Sequence, residues 1–138
     1  MTSSIMPTYS PADITFEYGK GVYLFSSDGR KYMDFGSGIA VSSVGHSHPH
    51  LVKAIQNQAG KVLHYSNLYK IKGQETLANT LVKNSFAESV FFCNSGAEAV
   101  ECGIKIVRRY HAQNGNSKKN RIITCTGGFH GRTLAALS

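Results

Sequence analysis

Two short apolar runs on either side of one long amphipathic pattern constrain the fold of this chain most. Residues 89–93 (SVFFC) and 121–125 (RIITC) have the composition of buried strands in a parallel sheet. Between them, apolar residues recur at helical spacing from Ala97 to Val107, which predicts a helix that continues to about Gln113. A strand, a helix and a strand of these lengths predict a βαβ unit, and hence an α/β fold.

The preceding residues predict an extended arm, a hairpin and two helices. The arm reaches to about Asp13. Two apolar runs, 22–25 and 31–35, then flank an Asp-Gly pair at 28–29 and predict a β-hairpin. Pro49 opens a helical pattern, because proline suits the first helical turn. A second helical pattern runs from about Gln74 to Lys83.

The chain has 138 residues, of which 41% are hydrophobic, and this composition excludes a disordered tail. No apolar run approaches the roughly 20 residues of a membrane span, and the first residues do not resemble a secretory signal. The three cysteines, Cys93, Cys102 and Cys125, form no CxxC pair and stand among apolar residues. We therefore expect buried thiols, no membrane partner and a cytoplasmic location. A further helix begins near Thr133, so we expect a fragment of a longer protein.

The net charge of +7 is confined to the last quarter of the chain. Residues 1–101 contain eight Lys/Arg and eight Asp/Glu, whereas residues 102–138 contain seven Lys/Arg and no acid. Six of these bases flank one predicted helix and its following turn: Lys105, Arg108, Arg109, Lys118, Lys119 and Arg121. They suit either a basic nucleic-acid-binding domain or a solvated helix end, and we favour the second because a charge run alone specifies little.

A polar turn at residues 94–101 (NSGAEAVE) lies where the first predicted strand leads into its helix. The free N–H groups of a first helical turn and the positive end of the helix dipole favour an anion such as phosphate. Ser95 adds a hydroxyl, Gly96 allows close approach and Ala97 leaves room. The alternative is a plain helix cap, with Ser95 and Glu98 forming a capping box. The residues alone leave both interpretations open.

A second glycine-rich turn, residues 126–133 (TGGFHGRT), follows the next predicted strand. Loops at the carboxyl ends of strands in α/β proteins commonly bind ligands. Phe129 is able to stack on a flat ring, and the guanidinium of Arg132 is able to hold a carboxylate with two hydrogen bonds. The alternative places Phe129 in the core and Arg132 at the surface. Two adjacent turns of these kinds favour a single site.

The GHSHPH segment, residues 45–50, carries three histidines at alternate positions and invites a metal-site hypothesis. We do not favour a metal, because Pro49 breaks any regular strand and no acidic residue is near in sequence. We expect instead that His48 caps the helix opened by Pro49 and that His46 packs in the turn.

Four segments, in this order, resemble the class III (fold type I) aminotransferases, which use pyridoxal 5'-phosphate. The matching segments are the family's N-terminal hairpin (28–35), its GHxHP turn (45–49), its phosphate-binding turn (94–101) and its ring-stacking and substrate loop (129–133). The resemblance implies an N-terminal arm, hairpin and first helix over residues 1–60, which are part of a small domain. It implies the first part of the large, mixed-sheet cofactor-binding domain over residues 61–138.

Carried over by position, the resemblance implies that Ser95, Gly96 and Ala97 bind the cofactor phosphate. It further implies that Phe129 stacks on the pyridine ring with His130 beside it, and that Arg132 binds the substrate carboxylate. The family's Schiff-base lysine would lie beyond Ser138, so no catalytic residue is expected in this chain, which we expect to be inactive alone.

Within the family, residues 38–41 (GIAV) and 66–69 (SNLY) are most similar to the branch that transaminates N-acetylornithine with 2-oxoglutarate, giving glutamate. The branches that act on succinylornithine, ornithine or 4-aminobutyrate are alternatives. The resemblance also implies a homodimer with small-molecule substrates and no nucleic-acid partner.

Overall fold

The computed structural model describes residues 4–137, and its regular elements begin with an antiparallel sheet. The strands are β1 (Phe16–Lys20), β2 (Tyr23–Ser26) and β3 (Lys31–Met33), in that spatial order. In the β2–β3 hairpin, Leu24 pairs with Tyr32. The hairpin prediction is therefore confirmed, whereas β1 was not foreseen as a strand.

The β2–β3 turn is held by its own polar side chains. The guanidinium of Arg30 donates from Nε to Asp28 Oδ2 at 2.7 Å, and the Ser26 hydroxyl donates to the other oxygen of Asp28. These two contacts, that of Arg30 foremost, hold the pKa of Asp28 well below its usual range. Gly29 takes a φ of +84° at the tip, which suits the predicted Asp-Gly turn.

Helices make up most of the remaining regular structure. A short turn, α1 (Ser37–Ala40), precedes α2 (Pro49–Ala59), α3 (Lys72–Lys83), α4 (Gly96–Gln113) and a last short helix, α5 (Leu134–Leu137). The predicted helices after Pro49, near Gln74 and after Ala97 are confirmed within two residues. Each follows a local signal, such as Pro49 in the first turn of α2 or Ser95 at the N-cap of α4.

The predicted parallel strands are not formed. Neither residues 89–93 nor residues 121–125 belong to a strand, so α4 has no flanking βαβ partners in residues 4–137. A parallel strand obtains its backbone hydrogen bonds from neighbouring strands, and neither segment pairs with the other. Their apolar side chains stay open, with Ile123 99% exposed.

The prediction of three buried thiols is wrong for the same reason. Cys93 and Cys125 are exposed and Cys102 is half-buried, because the sheet that would cover the first two is not assembled. No apolar side chain in residues 4–137 is fully buried. In that same stretch, no helix is both long enough and apolar enough to cross a bilayer.

The chain divides into two units, Met1–Tyr69 and Lys70–Ser138. The first unit holds the sheet, α1 and α2. The second holds α3, α4 and α5, together with both glycine-containing turns at residues 94–101 and 126–133. The candidate ligand-binding residues therefore all belong to the second unit.

Candidate functional site

A cavity of about 500 Å³ lies where the start of α4 meets the loop before α5. Its volume is within the usual range for small-molecule sites. The structure brings five of the six predicted site residues to its wall. The lining residues are Gly96, Ala97, Val100, Phe129, His130, Gly131 and Arg132. Ser95, the sixth, lies immediately before the lining residues, at the N-cap of α4.

The start of α4 is a capped helix end. Ser95 Oγ accepts a hydrogen bond from the Glu98 amide at 3.2 Å, and Glu98 Oε2 accepts one from the Asn94 amide at 2.6 Å. This is close to the capping-box alternative, although the glutamate reaches Asn94 rather than the Ser95 amide. The cap does not use the amides of Gly96 and Ala97, which have no acceptor within the helix. Cap and anion site are therefore compatible at this turn.

Gly131 allows the second turn, residues 126–133, to pack directly against the first, residues 94–101. It is buried, and a Cβ at this position would stand 2.8 Å from Ala97 Cβ and 3.0 Å from Ala97 Cα. Its φ of +131° is also one that L side chains rarely adopt. Only glycine permits this approach without displacement, and the approach places the Phe129–Arg132 loop beside the amides of α4.

Phe129 and Arg132 are both exposed residues that line the cavity. Phe129 is 77% exposed, so the alternative that placed it in the core is wrong. The guanidinium carbon of Arg132 lies 5.7 Å from the centre of the Phe129 ring, in a cation–π arrangement. An aromatic face and a cation therefore border the same cavity.

Two buried polar atoms close to the cavity have no hydrogen-bond partner among the described residues. His130 Nε2 is buried and makes no hydrogen bond within the described chain, and the same holds for the hydroxyl of Thr133. A Cβ on Gly128 would stand 2.9 Å from His130 Nε2, so the ring is folded back against that glycine.

Two lining residues were not assigned a role from sequence. Val100 lies one helical turn after Gly96, and the spacing i, i+4 on α4 was a usable signal. Gly131 stood inside the recognised loop, but its contact with Ala97 spans 34 positions and has no local signature.

In the histidine segment, His46 forms a hydrogen bond with a carboxylate. His46 Nε2 lies 2.7 Å from Asp34 Oδ2, so the expectation that no acid lies nearby holds in sequence but is wrong in space. Among residues 4–137, no group of three His, Cys, Asp or Glu side chains is arranged to hold a metal ion. His48 occupies the N-cap position of α2, but its ring makes no capping hydrogen bond, so that prediction is correct only for position.

The chain was compared with known proteins. The family model described as aminotransferase class-III matches residues 5–138. An acetylornithine aminotransferase of Agrobacterium fabrum is 55% identical over 134 residues, which are 97% of this chain and 34% of that protein. Among solved structures, the N-acetylornithine aminotransferase of Stenotrophomonas maltophilia is 45% identical, with a TM-score of 0.81 over 88% of this chain and 34% of the other.

The fold likeness extends to a second solved aminotransferase. The adenosylmethionine-8-amino-7-oxononanoate aminotransferase of Methanocaldococcus jannaschii gives a TM-score of 0.90 at 32% identity, over 98% of this chain and 33% of the other. The chain thus spans about a third of the length of the relatives it matches. These matches confirm the predicted fold class, although the parallel pairing itself is not formed here. The chain belongs to the class-III aminotransferases.

Proposed function

We propose that this chain supplies the phosphate, ring and carboxylate contacts of a pyridoxal-phosphate-dependent enzyme that transaminates N-acetylornithine with 2-oxoglutarate. The family depends on this cofactor. The observation that carries the proposal is the single cavity shared by the start of α4 and the Phe129–Arg132 loop. The substrate assignment is supported by the relatives that carry the name acetylornithine aminotransferase at 45–55% identity.

The start of α4 fits the cofactor's phosphate. Gly96 and Ala97 offer amides at the positive end of an 18-residue helix. The Ser95 hydroxyl accepts one hydrogen bond in the cap and still has its own hydrogen to donate. A Cβ on Gly96 would meet no atom within 4 Å, so the backbone there is open to a bulky anion.

The loop before α5 fits the cofactor's ring. The open face of Phe129 suits offset stacking on a pyridine, and the His130 ring lies beside it in the cavity wall. Because Gly131 rests on Ala97, stacking at Phe129 and phosphate binding at α4 are held at a fixed separation. We infer that this contact sets the distance between the phosphate-binding turn and the ring-stacking loop.

Arg132 is proposed to hold the substrate carboxylate. Its guanidinium is always charged and has a planar pair of donors that matches a carboxylate. In N-acetylornithine the α-amine is acylated, so the carboxylate lies at the far end of the chain from the reacting carbon, which bears the free amine. 2-Oxoglutarate also has a carboxylate at the far end from its reacting carbon, so one arginine is able to serve both substrates. When bound, the cofactor draws electrons from that carbon and makes its proton easier to remove. The residues of this chain bind and orient, and we assign none of them the proton transfer.

Family resemblance supports several further parts of the proposal. These are the homodimer, the cytoplasmic location, the domain assignment at residues 1–60 and 61–138, and the inactivity of this chain by itself. Succinylornithine, ornithine and 4-aminobutyrate remain alternative amino donors. No observation in the described residues favours nucleic-acid binding over a solvated basic surface.

The decisive experiment uses the full-length protein that carries this sequence. The visible spectrum is recorded with pyridoxal phosphate, before and after addition of N-acetylornithine. We expect a band of bound cofactor that N-acetylornithine bleaches and 2-oxoglutarate restores. Bleaching by 4-aminobutyrate or free ornithine in its place would move the substrate assignment. A spectrum of free cofactor that no amine changes would refute the proposal.

A further inference from the structure

Asp34, directly after β3, uses both carboxylate oxygens to join two segments of the first unit. Oδ1 accepts a hydrogen bond from the Ser37 amide at 2.8 Å. Oδ2 lies 2.7 Å from His46 Nε2, and this nitrogen donates because an ionised carboxylate only accepts. The side chains of His46 and Asp34 are only 21% and 15% exposed. Asp34 thus connects the histidine to the start of α1.

His46 is itself held against the end of β1 and the residue pair that follows it. Its backbone exchanges two hydrogen bonds with Gly21, at 2.9 and 2.7 Å. A Cβ on Gly19 would stand 2.6 Å from both Cβ and Cγ of His46, so the histidine lies directly on the bare backbone of β1. These contacts fix the position of the imidazole that hydrogen-bonds to Asp34.

The segment held by Asp34 has an unfavourable backbone. Ser37, Ile39 and Ala40 have φ angles of 47°, 58° and 65°, in the left-handed region that L residues avoid. Packing does not hold this turn, because Ile39 is 95% exposed and Val41 is 81% exposed. Within the turn, hydrogen bonds join the Ile39 amide to Gly36 O and the Ser42 amide to Ser37 O. The turn is joined to the end of β3 by the Asp34 carboxylate, at 2.8 Å, and more weakly by a hydrogen bond from the Ser37 hydroxyl to Asp34 O at 3.4 Å.

We propose that Asp34 and His46 form a clasp that keeps the Ser37–Ala40 turn in its left-handed conformation. His46 holds the carboxylate in place, and the carboxylate holds the Ser37 amide. The Ser37 amide, and secondly the His46 ring, hold the pKa of Asp34 below its ordinary value, which agrees with an ionised carboxylate at the centre of the clasp. The clasp lies wholly in the first unit and is independent of the proposed cofactor chemistry.

Hydrogen–deuterium exchange of the full-length protein tests the clasp. The readout is the exchange rate of peptides that cover residues 35–45. We expect His46→Gln to speed exchange by about tenfold, because the loss of a charge-assisted hydrogen bond favours local opening. Asp34→Ala, which removes both contacts, should speed exchange at least as much. The double variant should exchange like Asp34→Ala alone, since His46 acts through Asp34.

A matched control is available in the same segment. His48 is exposed and its ring makes no hydrogen bond in the described part of the chain, so His48→Gln should leave exchange unchanged. Peptides over β2 and β3 report whether the sheet survives. If His46→Gln unfolds the sheet, Asp34→Ala tests the same contact from the other side. Wild-type exchange in both variants, additive effects in the double variant, or equal effects of His48→Gln would each overturn the proposal.

Discussion

Replacing Gly131 with alanine tests whether the contact between the two turns determines cofactor binding. The added Cβ would stand 2.8 Å from Ala97 Cβ, 3.0 Å from Ala97 Cα and 3.2 Å from Ala136 Cβ. None of these atoms moves by rotation of a side chain, so the loop has to shift away from α4. Overpacking of this kind costs about 1–3 kcal/mol. The φ of +131° adds about 1–3 kcal/mol for a residue with a Cβ.

The overpacking part alone corresponds to about a 5- to 150-fold weaker affinity if the displacement is expressed fully in binding. The assay is a spectroscopic titration of the full-length variant with pyridoxal phosphate, together with urea unfolding. Two control variants separate backbone strain from the steric overlap with Ala97. Gly127→Ala adds the strain of a φ of +79° without any contact within 4 Å. Gly103→Ala, inside α4 with open space around it, should raise stability by about 0.5–1 kcal/mol.

The result that would refute this reasoning is wild-type affinity in Gly131→Ala. Equal losses of affinity in Gly131→Ala and Gly127→Ala would show that backbone strain, rather than the contact with Ala97, limits binding.

Three further changes probe individual groups. Ser95→Ala should lower the free energy of unfolding by about 1 kcal/mol through loss of the cap. Ser95→Asp should retain the cap and the stability, but its negative charge should repel the phosphate. In a cofactor titration, Ser95→Asp should therefore lose more affinity than Ser95→Ala. Arg132→Ala should raise KM for both N-acetylornithine and 2-oxoglutarate in steady-state assays, and an effect on one alone would contradict the shared carboxylate site. Because the pKa of Asp34 is lowered by folding, its contribution to stability is complete above about pH 4 and is lost as the pH falls through the lowered value. The stability difference between wild type and Asp34→Ala in urea unfolding should therefore shrink only in acid.

The elements that could be predicted from sequence are those whose signals are local. The start of α2 follows from Pro49, and the start of α4 follows from Ser95 and the apolar spacing after it. The β2–β3 turn follows from its Asp-Gly pair, whose own side chains and backbone form it. In each case the residues that specify the element lie within a few positions of one another.

The failures have a common physical origin in long-range contacts. Residues 89–93 and 121–125 have the composition of parallel strands, but composition does not provide a neighbour, and the exposed state of Cys93 and Cys125 follows from that absence. The Asp34–His46 pair was missed because its partners are 12 positions apart and meet only when the chain folds back along β1.

The candidate site depends on local sequence patterns and also on a long-range contact. Its two turns were recognisable separately, because a capped helix start and a glycine-rich loop each have a local pattern. Their meeting depends on Gly131 fitting against Ala97, which neither pattern contains. Gly131 therefore determines whether the two motifs pack against each other. Any side chain at this position would separate two turns that would each still match their own pattern. A chain with both motifs intact and a larger residue at 131 should keep its helix cap and lose its cavity.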